Sequence, residues 1–299
     1  MVSPSHGEWV TQPTVRSAPR PDVWHTTGMD HLSANDYERS CTSFSMSVVV
    51  DALTAAVDGD RPGTLLDVGC GYGGIAASLG EALDVPELHG IDIDAGVIDE
   101  ARSKHVRAVQ ADVAAAPLPY ETATFDLLTC FGMLDYLPWY DVAVREFSRV
   151  VRPGGLVAVA LPNLASWHNR LALLFGYQPR DVEFCSVQVV GHAPMYRDAL
   201  PVGHIHTPTT RAFREFMALM GFDEVRTHAL RPMNSPVGRP LRLLDAVVGR
   251  FPSSSRRFLY IGRRIREPAT SSTGGWWEHV ERDDGSFVSG DGRPDRRAL

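Results

Sequence analysis

The sequence predicts an α/β protein built on a doubly wound, mostly parallel sheet. Two observations carry this prediction. The first is a short apolar run at 64–68 that leads into a glycine-rich turn and then into a segment with helical spacing. The second is that apolar runs of strand length alternate with helical patterns through the middle of the chain. This alternation is typical of parallel strands joined by crossover helices.

The glycine-rich turn fits two ligand-binding patterns. Gly69, Gly71 and Gly74 satisfy the G-x-G-x-x-G pattern of dinucleotide sites, whereas Gly69, Gly71 and Gly73 satisfy a shorter G-x-G-x-G pattern. Asp67, two residues before the first glycine, favours the shorter pattern. A carboxylate at this strand end suits a ligand with a cationic amino group and does not suit a pyrophosphate.

Further strands and helices follow in order. The second to fifth strands are predicted at Leu88–Asp92, Val106–Val109, Phe125–Phe131 and Leu156–Leu161, and the last two at Asp223–Leu230 and Phe258–Ile265. Asp92 follows the glycines by about twenty residues, the interval expected for a carboxylate that accepts ribose hydroxyls. The helix before the fifth strand is expected to end at Pro153-Gly154-Gly155.

These motifs resemble, in order and spacing, the class I S-adenosylmethionine-dependent methyltransferases, particularly their small-molecule branch. The resemblance covers about residues 40 to 265, through the segments LLDVGCGYGG, HGIDID, QADVAAAPLPYETATFDLLTCF, REFSRVVRPGGLVAVALPN and TRAFREFMALMGF. It implies an α/β fold with a Rossmann-like, seven-stranded, doubly wound sheet that is mostly parallel with an antiparallel last strand. It also implies S-adenosylmethionine as the cofactor.

The resemblance assigns a contact with the cofactor to each of eleven residues. These are Asp67, Gly69, Cys70, Gly71 and Gly73 for the methionine part, Asp92 for the ribose, Ile93, Asp112 and Val113 for the adenine, and Phe131 and Gly132 beside the sulfonium. Roles as ordinary strand-end or cap acids are the alternative for Asp92 and Asp112. Their joint placement at successive strand ends favours the crevice at the carboxyl edge of the sheet. Cys70 is interpreted as a small filler and not a nucleophile, because no nearby basic residue would activate its thiol.

The substrate side is less clearly encoded. The segment 132–137 replaces a histidine-rich loop that is common in the family, and an irregular insertion at 164–207 is expected to select the substrate. A hydroxyl acceptor needs a general base, for which the candidates in order are His204, His206, His168 and Asp135. A structural role is the alternative for each histidine. No metal site is predicted, since His204 and His206 have no evident third ligand.

The length and composition of the chain predict its domain boundaries. The chain has 299 residues, a net charge of −7 and four scattered cysteines, which predicts one domain at 23–266 without a disulfide framework. The ends, 1–22 and 267–299, are predicted to be disordered because polar residues, proline and glycine dominate them. No apolar run reaches the roughly 18 residues that span a bilayer, and no signal peptide is evident, so a cytoplasmic location is expected.

The predicted activity is O-methylation of a small molecule, in particular a sugar, glycan or related metabolite. The sugar assignment comes from a weaker resemblance of NRLALLFGYQP and GHIHTPTTRAFREFMALMGF to methyltransferases encoded with glycan-processing enzymes. An NAD(P)-dependent oxidoreductase and a nucleic-acid methyltransferase are the alternatives, and no nucleic-acid partner is expected. An arginine-rich region at 226–266, with an insertion at 231–257, could contact an anionic membrane or simply be solvated.

Overall fold

The computed structural model describes residues 46–115, 117–194, 201, 203–230, 245–269, 280–281 and 287–288. The predicted N-terminal tail at 1–22 and most of the predicted C-terminal tail lie outside these residues. Their disorder therefore stays a prediction. Within the second tail, Val280–Glu281 and Phe287–Val288 form a short antiparallel ladder, β8 and β9.

The described chain alternates between strands and helices. The helices are α1 (Met46–Val57), α2 (Gly74–Leu83), α3 (Ala95–Ser103), α4 (Tyr140–Val150), α5 (Trp167–Leu174) and α6 (Thr210–Leu219), with a short 3₁₀ turn at Leu134–Tyr136. The strands of the main sheet are β1 (Thr64–Val68), β2 (Glu87–Asp92), β3 (Arg107–Gln110), β4 (Phe125–Phe131), β5 (Val151–Pro162), β6 (Phe222–Leu230) and β7 (Arg257–Arg264).

The main sheet has seven strands in the order β3-β2-β1-β4-β5-β7-β6. The first five strands in this order pair in parallel, and β7 runs antiparallel to both β5 and β6. This arrangement confirms the predicted fold class. The strand order reverses between β1 and β4, and ligands of open α/β sheets bind in the crevice at such a point.

Both faces of the sheet are covered by helices, which is why the central strands β1 and β4 are buried almost throughout. One buried cluster includes Phe147 of α4 and Phe213 of α6, and the other includes Leu53 of α1 and Leu79 of α2. Polar side chains that could bind a ligand are therefore expected at the ends of the strands.

Two boundaries differ from the sequence-based expectation. Strand β5 begins at Val151, so the Pro-Gly-Gly block lies inside the strand, where Gly154 has a φ of 82° and the pairing with β4 shifts register. The Thr207-Pro208 step predicts a helix start with Thr207 as the cap, but helix α6 is capped by Thr209, which accepts a hydrogen bond from the Ala212 amide. Thr207 instead donates its hydroxyl hydrogen bond to the Asp181 carbonyl, at 2.5 Å.

Helix α5 also differs in the side it buries. The three-to-four spacing of Trp167, Leu171 and Leu174 predicts an apolar stripe, yet Trp167 and Asn169 are the buried residues and the two leucines are exposed. Asn169 is turned inward because its carboxamide donates to the Asn163 carbonyl and accepts from the Arg180 amide. Polar contacts therefore hold the helix against the domain, and its leucine side chains are exposed to solvent.

Candidate active site

The glycine turn joins the end of β1 to the neighbouring strand β2. The amides of Gly69 and Cys70 both donate to the Ile91 carbonyl, at 2.8 and 2.9 Å. Gly69, Gly71 and Gly73 have φ values of 77°, 50° and 79°, which favour glycine. A Cβ on Gly71 would meet no atom within 4 Å, so a ligand can approach the backbone there. The turn therefore forms an open cradle.

Asp92 lies at the end of β2, directly against this cradle. One carboxylate oxygen accepts from the Gly71 amide at 2.8 Å, and the other accepts from the Asp94 amide at 3.0 Å. Burial raises the pKa of Asp92 against the opposing effect of these amide hydrogen bonds. The carboxylate is thus placed for the predicted ribose contact while it orders the glycine turn.

Asp67 is the buried acid of β1. Its Oδ1 accepts a hydrogen bond from the Thr129 hydroxyl of β4 at 2.7 Å. Burial, and then the charges of Asp67 and Asp92, raise the pKa of Cys70 far above its usual value. A Cβ placed on Gly90 would lie 2.7 Å from the Cys70 sulfur, so this thiol fills space against β2. The geometry supports the interpretation of Cys70 as a filler.

The predicted adenine side follows β2 and β3. Ile93 is exposed, and its carbonyl accepts from the Gln110 side chain at 3.0 Å. Asp112 is also exposed and accepts from the Ala114 amide at 2.8 Å, which is the local capping role considered above, while Val113 is buried. Together with Asp67 and Asp92, Asp112 lies towards the carboxyl ends of three adjacent strands.

The loop after β4 closes over the glycine turn. Gly132 donates its amide to the Ala160 carbonyl at 3.1 Å, and a Cβ placed on Gly69 would lie 2.9 Å from the Cβ of Met133. The predicted pair Phe131 and Gly132 is therefore beside the cradle.

Arg257 is a site residue that sequence reasoning did not identify. A Cβ on Gly132 would lie 3.5 Å from its guanidinium. Because β7 is antiparallel, its first residue lies at the carboxyl edge of the sheet. The antiparallel pairing of β6 and β7 is the feature from which the position of Arg257 could have been predicted.

Two predicted catalytic candidates lie together next to this loop. The Nε2 atom of His204 is 3.0 Å from the Oδ2 atom of Asp135, and both residues are buried. The backbone carbonyl of Asp135 also accepts from the Ile205 amide at 2.7 Å, which holds the two segments together. Within the described chain, His204 Nδ1 has no hydrogen-bond partner. Asp135 thus lies against Nε2 of a histidine whose Nδ1 is also buried.

The charge environment of His204 suits a proton acceptor. Burial alone would lower its pKa, but the hydrogen bond and charge of Asp135, with further contributions from Asp181 and Glu183, raise it above the usual value. If Asp135 accepts the Nε2 proton, the unprotonated nitrogen is Nδ1. A histidine paired with a carboxylate is an arrangement that general-base catalysis uses.

The side chains of the other two histidine candidates contact protein groups outside the Asp135–His204 pair. His206 is exposed, and its Nε2 is 2.8 Å from the Pro138 carbonyl. His168 stacks on Trp167 and lies 3.2 Å from the Ser166 hydroxyl. Burial, followed by the charge of Arg180, lowers the pKa of His168 to about 4. A structural role fits both. The described residues contain no group of three side chains that could hold a metal ion.

Comparisons with known proteins agree with this geometry. Residues 66–159 match the family model described as a methyltransferase domain. This segment of the chain is a methyltransferase domain of the class I, S-adenosylmethionine-dependent type. Demethylmenaquinone methyltransferase of Staphylococcus aureus is 34% identical over 129 residues, or 40% of this chain and 53% of the relative. The chain therefore spans about half the length of the curated relatives it matches.

Solved structures show the same fold. A methyltransferase of Haloferax volcanii, solved in complex with a methyltransferase activator, has a TM-score of 0.54 at 14% identity. The match covers 78% of this chain and 96% of the Haloferax chain. An S-adenosylmethionine-dependent methyltransferase of Thermotoga maritima has a TM-score of 0.52 at 14% identity and covers 77% and 95%. S-adenosylmethionine is the cofactor of the family, and the open cradle at Gly71 fits a ligand of this kind.

The described arginines of the region 226–266 are largely engaged with the fold. Arg263 donates to the carbonyls of Gly154 and Ala56, and Arg264 donates to the Val151 carbonyl. The insertion at 231–244 lies outside the described residues. None of the described helices combines the length and apolar character needed to cross a membrane.

Proposed function

We propose that the chain transfers the methyl group of S-adenosylmethionine to a hydroxyl oxygen of a small molecule, a sugar, glycan or related metabolite. The observation that supports a hydroxyl acceptor is the buried Asp135–His204 pair, with its 3.0 Å contact beside the loop after β4. Methyl transfer to a carboxylate needs no base, so such a pair would have no purpose there.

The cofactor, when bound, supplies an activated methyl group. The chain then has to orient the acceptor and remove its proton. His204 Nδ1 would accept the proton of the acceptor hydroxyl, and Asp135 would stabilise the imidazolium that forms. Asp67 would hold the amino group of the cofactor and Asp92 the ribose hydroxyls.

A quinol is the second candidate acceptor. The relative in Staphylococcus aureus is named for methylation of demethylmenaquinone. Deprotonating a phenolic hydroxyl makes the adjacent ring carbon more nucleophilic, so the same base would serve a carbon acceptor. A cytoplasmic location, a contact of the region 226–266 with an anionic membrane and the absence of a nucleic-acid partner remain predictions.

The test is methyl transfer from radiolabelled S-adenosylmethionine to fractionated sugars, quinols and nucleic acids with the His204→Gln variant. Glutamine keeps a hydrogen-bond donor for Asp135 but accepts no proton. We expect cofactor affinity to be unchanged and the turnover number to fall by about 10²–10⁴-fold. His228→Gln, on β6, is the matched control. Full transfer by His204→Gln would contradict the proposed base, and label in nucleic acid alone would contradict the small-molecule acceptor.

A further inference from the structure

The substrate insertion exposes an unusual amount of apolar surface. Among the described large apolar side chains, the four with the highest exposed fractions are Leu174 (75%), Phe175 (71%), Phe184 (73%) and Val187 (82%). All four lie in one segment, 174–187, and we refer to them together as the apolar face. Concentrated exposure of this kind marks an interaction site, whereas single exposed residues need no explanation.

Hydrogen bonds hold the backbone of the segment that carries the apolar face. The Gln178 amide donates to the Gly191 carbonyl, and its side chain donates to the Val182 carbonyl, both at 2.8 Å. The Arg180 amide donates to the Asn169 side chain at 2.9 Å. The apolar side chains therefore project from a fastened loop.

Two arginines outside the segment 174–187 add positive charge near this apolar surface, while inside the segment Arg180 pairs with Asp181 at 3.7 Å. Arg170, on the same helix as Leu174, is exposed and donates to the Ser253 carbonyl at 3.1 Å. Two residues before Ser253, Phe251 is half exposed, and the exposed Arg250 guanidinium lies 5.1 Å from its ring centroid. Aromatic and aliphatic side chains next to arginines are the composition that binds the surface of anionic bilayers.

We propose that the apolar face docks on an anionic phospholipid bilayer. The net charge of the whole chain is −7, so general electrostatic attraction does not explain such binding. Insertion of the apolar side chains has to supply most of the free energy, with Arg170 and Arg250 adding charge complementarity. This surface differs from the buried and carbonyl-bound arginines of β7.

The docked orientation would bring the catalytic pair close to the membrane. Glu183, adjacent to Phe184, accepts from the Gly203 amide at 3.1 Å, and Gly203 precedes His204. An amphiphilic acceptor could then reach the base from the bilayer surface. Only this consequence rests on the proposed function, because docking itself needs no catalysis.

The experiment is co-sedimentation of the full chain with vesicles at low salt. One vesicle preparation contains phosphatidylcholine and phosphatidylglycerol in equal parts, and the other contains phosphatidylcholine alone. We expect stronger binding to the mixed vesicles than to the neutral ones, and at least about tenfold weaker partitioning for the Leu174→Ser, Phe175→Ser double variant. Arg250→Gln and added salt should each weaken binding.

The matched control is the Leu219→Ser, Ile265→Ser double variant, which removes apolar side chains that are 57% and 50% exposed elsewhere. It should partition like the wild type. Binding of S-adenosylhomocysteine confirms that every variant is folded. The proposal would be overturned by absent or equal binding to the two vesicle types, by equal losses in both double variants, or by a dimer that depends on the apolar face. None of these outcomes would affect the test of His204.

Discussion

Asp135 is a carboxylate without exposed surface, and its ionised form needs compensation inside the protein. His204 provides this compensation through Nε2, 3.0 Å from Oδ2. The relation is mutual, because the hydrogen bond with Asp135, and then its charge, raise the pKa of His204 against the effect of burial. Asp135 therefore acts as a positioning residue whose influence is visible in the titration of the base.

The Asp135→Asn variant tests this relation through the pH dependence of kcat/KM. The base must be unprotonated, so wild-type activity should rise with pH through a His204 pKa that lies above its usual value of about 6.5. Asparagine still accepts the Nε2 proton but carries no charge, while burial still lowers the pKa. We expect the rising limb to move to lower pH. An unmoved limb, with reduced turnover, would indicate a purely structural role.

Helix α4 acts on the site as an element, because it fastens the loop between β3 and β4. Glu146 accepts from the Leu118 amide at 2.8 Å and pairs with Arg149 at 2.7 Å. Arg149 donates to the carbonyls of Tyr120 and Leu118, at 2.7 and 3.0 Å. This is the loop that begins with Asp112 and Val113. The loop predicted to contact adenine is thus held by one pair on α4.

Glu146→Gln should destabilise the protein and weaken cofactor binding together. The hydrogen bond with Arg149 lowers the pKa of Glu146, despite the opposing effect of burial. We expect a loss of about 1–3 kcal/mol in the free energy of unfolding at pH 7, measured in urea. A lowered pKa stabilises the fold above the unfolded value of about 4.3, so the difference from wild type should shrink as pH falls below it.

The control for this prediction is Glu215→Gln. Glu215 pairs with Arg211 on the exposed surface of α6, where solvent screens the interaction, so stability should be unchanged. A Glu146→Gln variant as stable as the wild type would show that the loop is held by its apolar contacts alone.

The sequence predicted the cofactor half of the molecule well because local patterns encode it. Strand β4 was predicted with its observed bounds, and the glycine turn follows β1 directly. Helix α5 was less predictable, since the polar contacts of Asn169 overrode its leucine spacing. The start of α6 depended on which threonine caps it, and Thr209 has the appropriate geometry.

The site could be predicted only in part, because contacts between residues distant in sequence bring its side chains together. Asp135 and His204 were separate candidates in the sequence, and only the fold brings them to 3.0 Å. Arg257 carried no local signal, because its position at the site follows from the direction of β7.

At the scale of the whole molecule, the proposed cofactor site connects strands that are not adjacent in sequence. The cradle already links β1 to β2 through the Gly69, Cys70 and Gly71 amides. A ligand that also contacts the loops after β3 and β4 would tie four strands of the sheet together. Ligand binding to the native state alone should therefore stabilise the whole fold.

S-adenosylhomocysteine should raise the melting temperature, whereas NAD should have no effect. At 100 times its Kd, a ligand adds about 2.7 kcal/mol, which for a domain of this size corresponds to roughly 5–10 °C. The measurement is a thermal unfolding scan with each ligand. Asp92→Ala should lose most of the shift because it removes the ribose acceptor, whereas Asp99→Ala, on the exposed side of α3, should keep it. A shift with NAD alone would instead favour an oxidoreductase, and an unchanged shift in Asp92→Ala would place the ribose elsewhere.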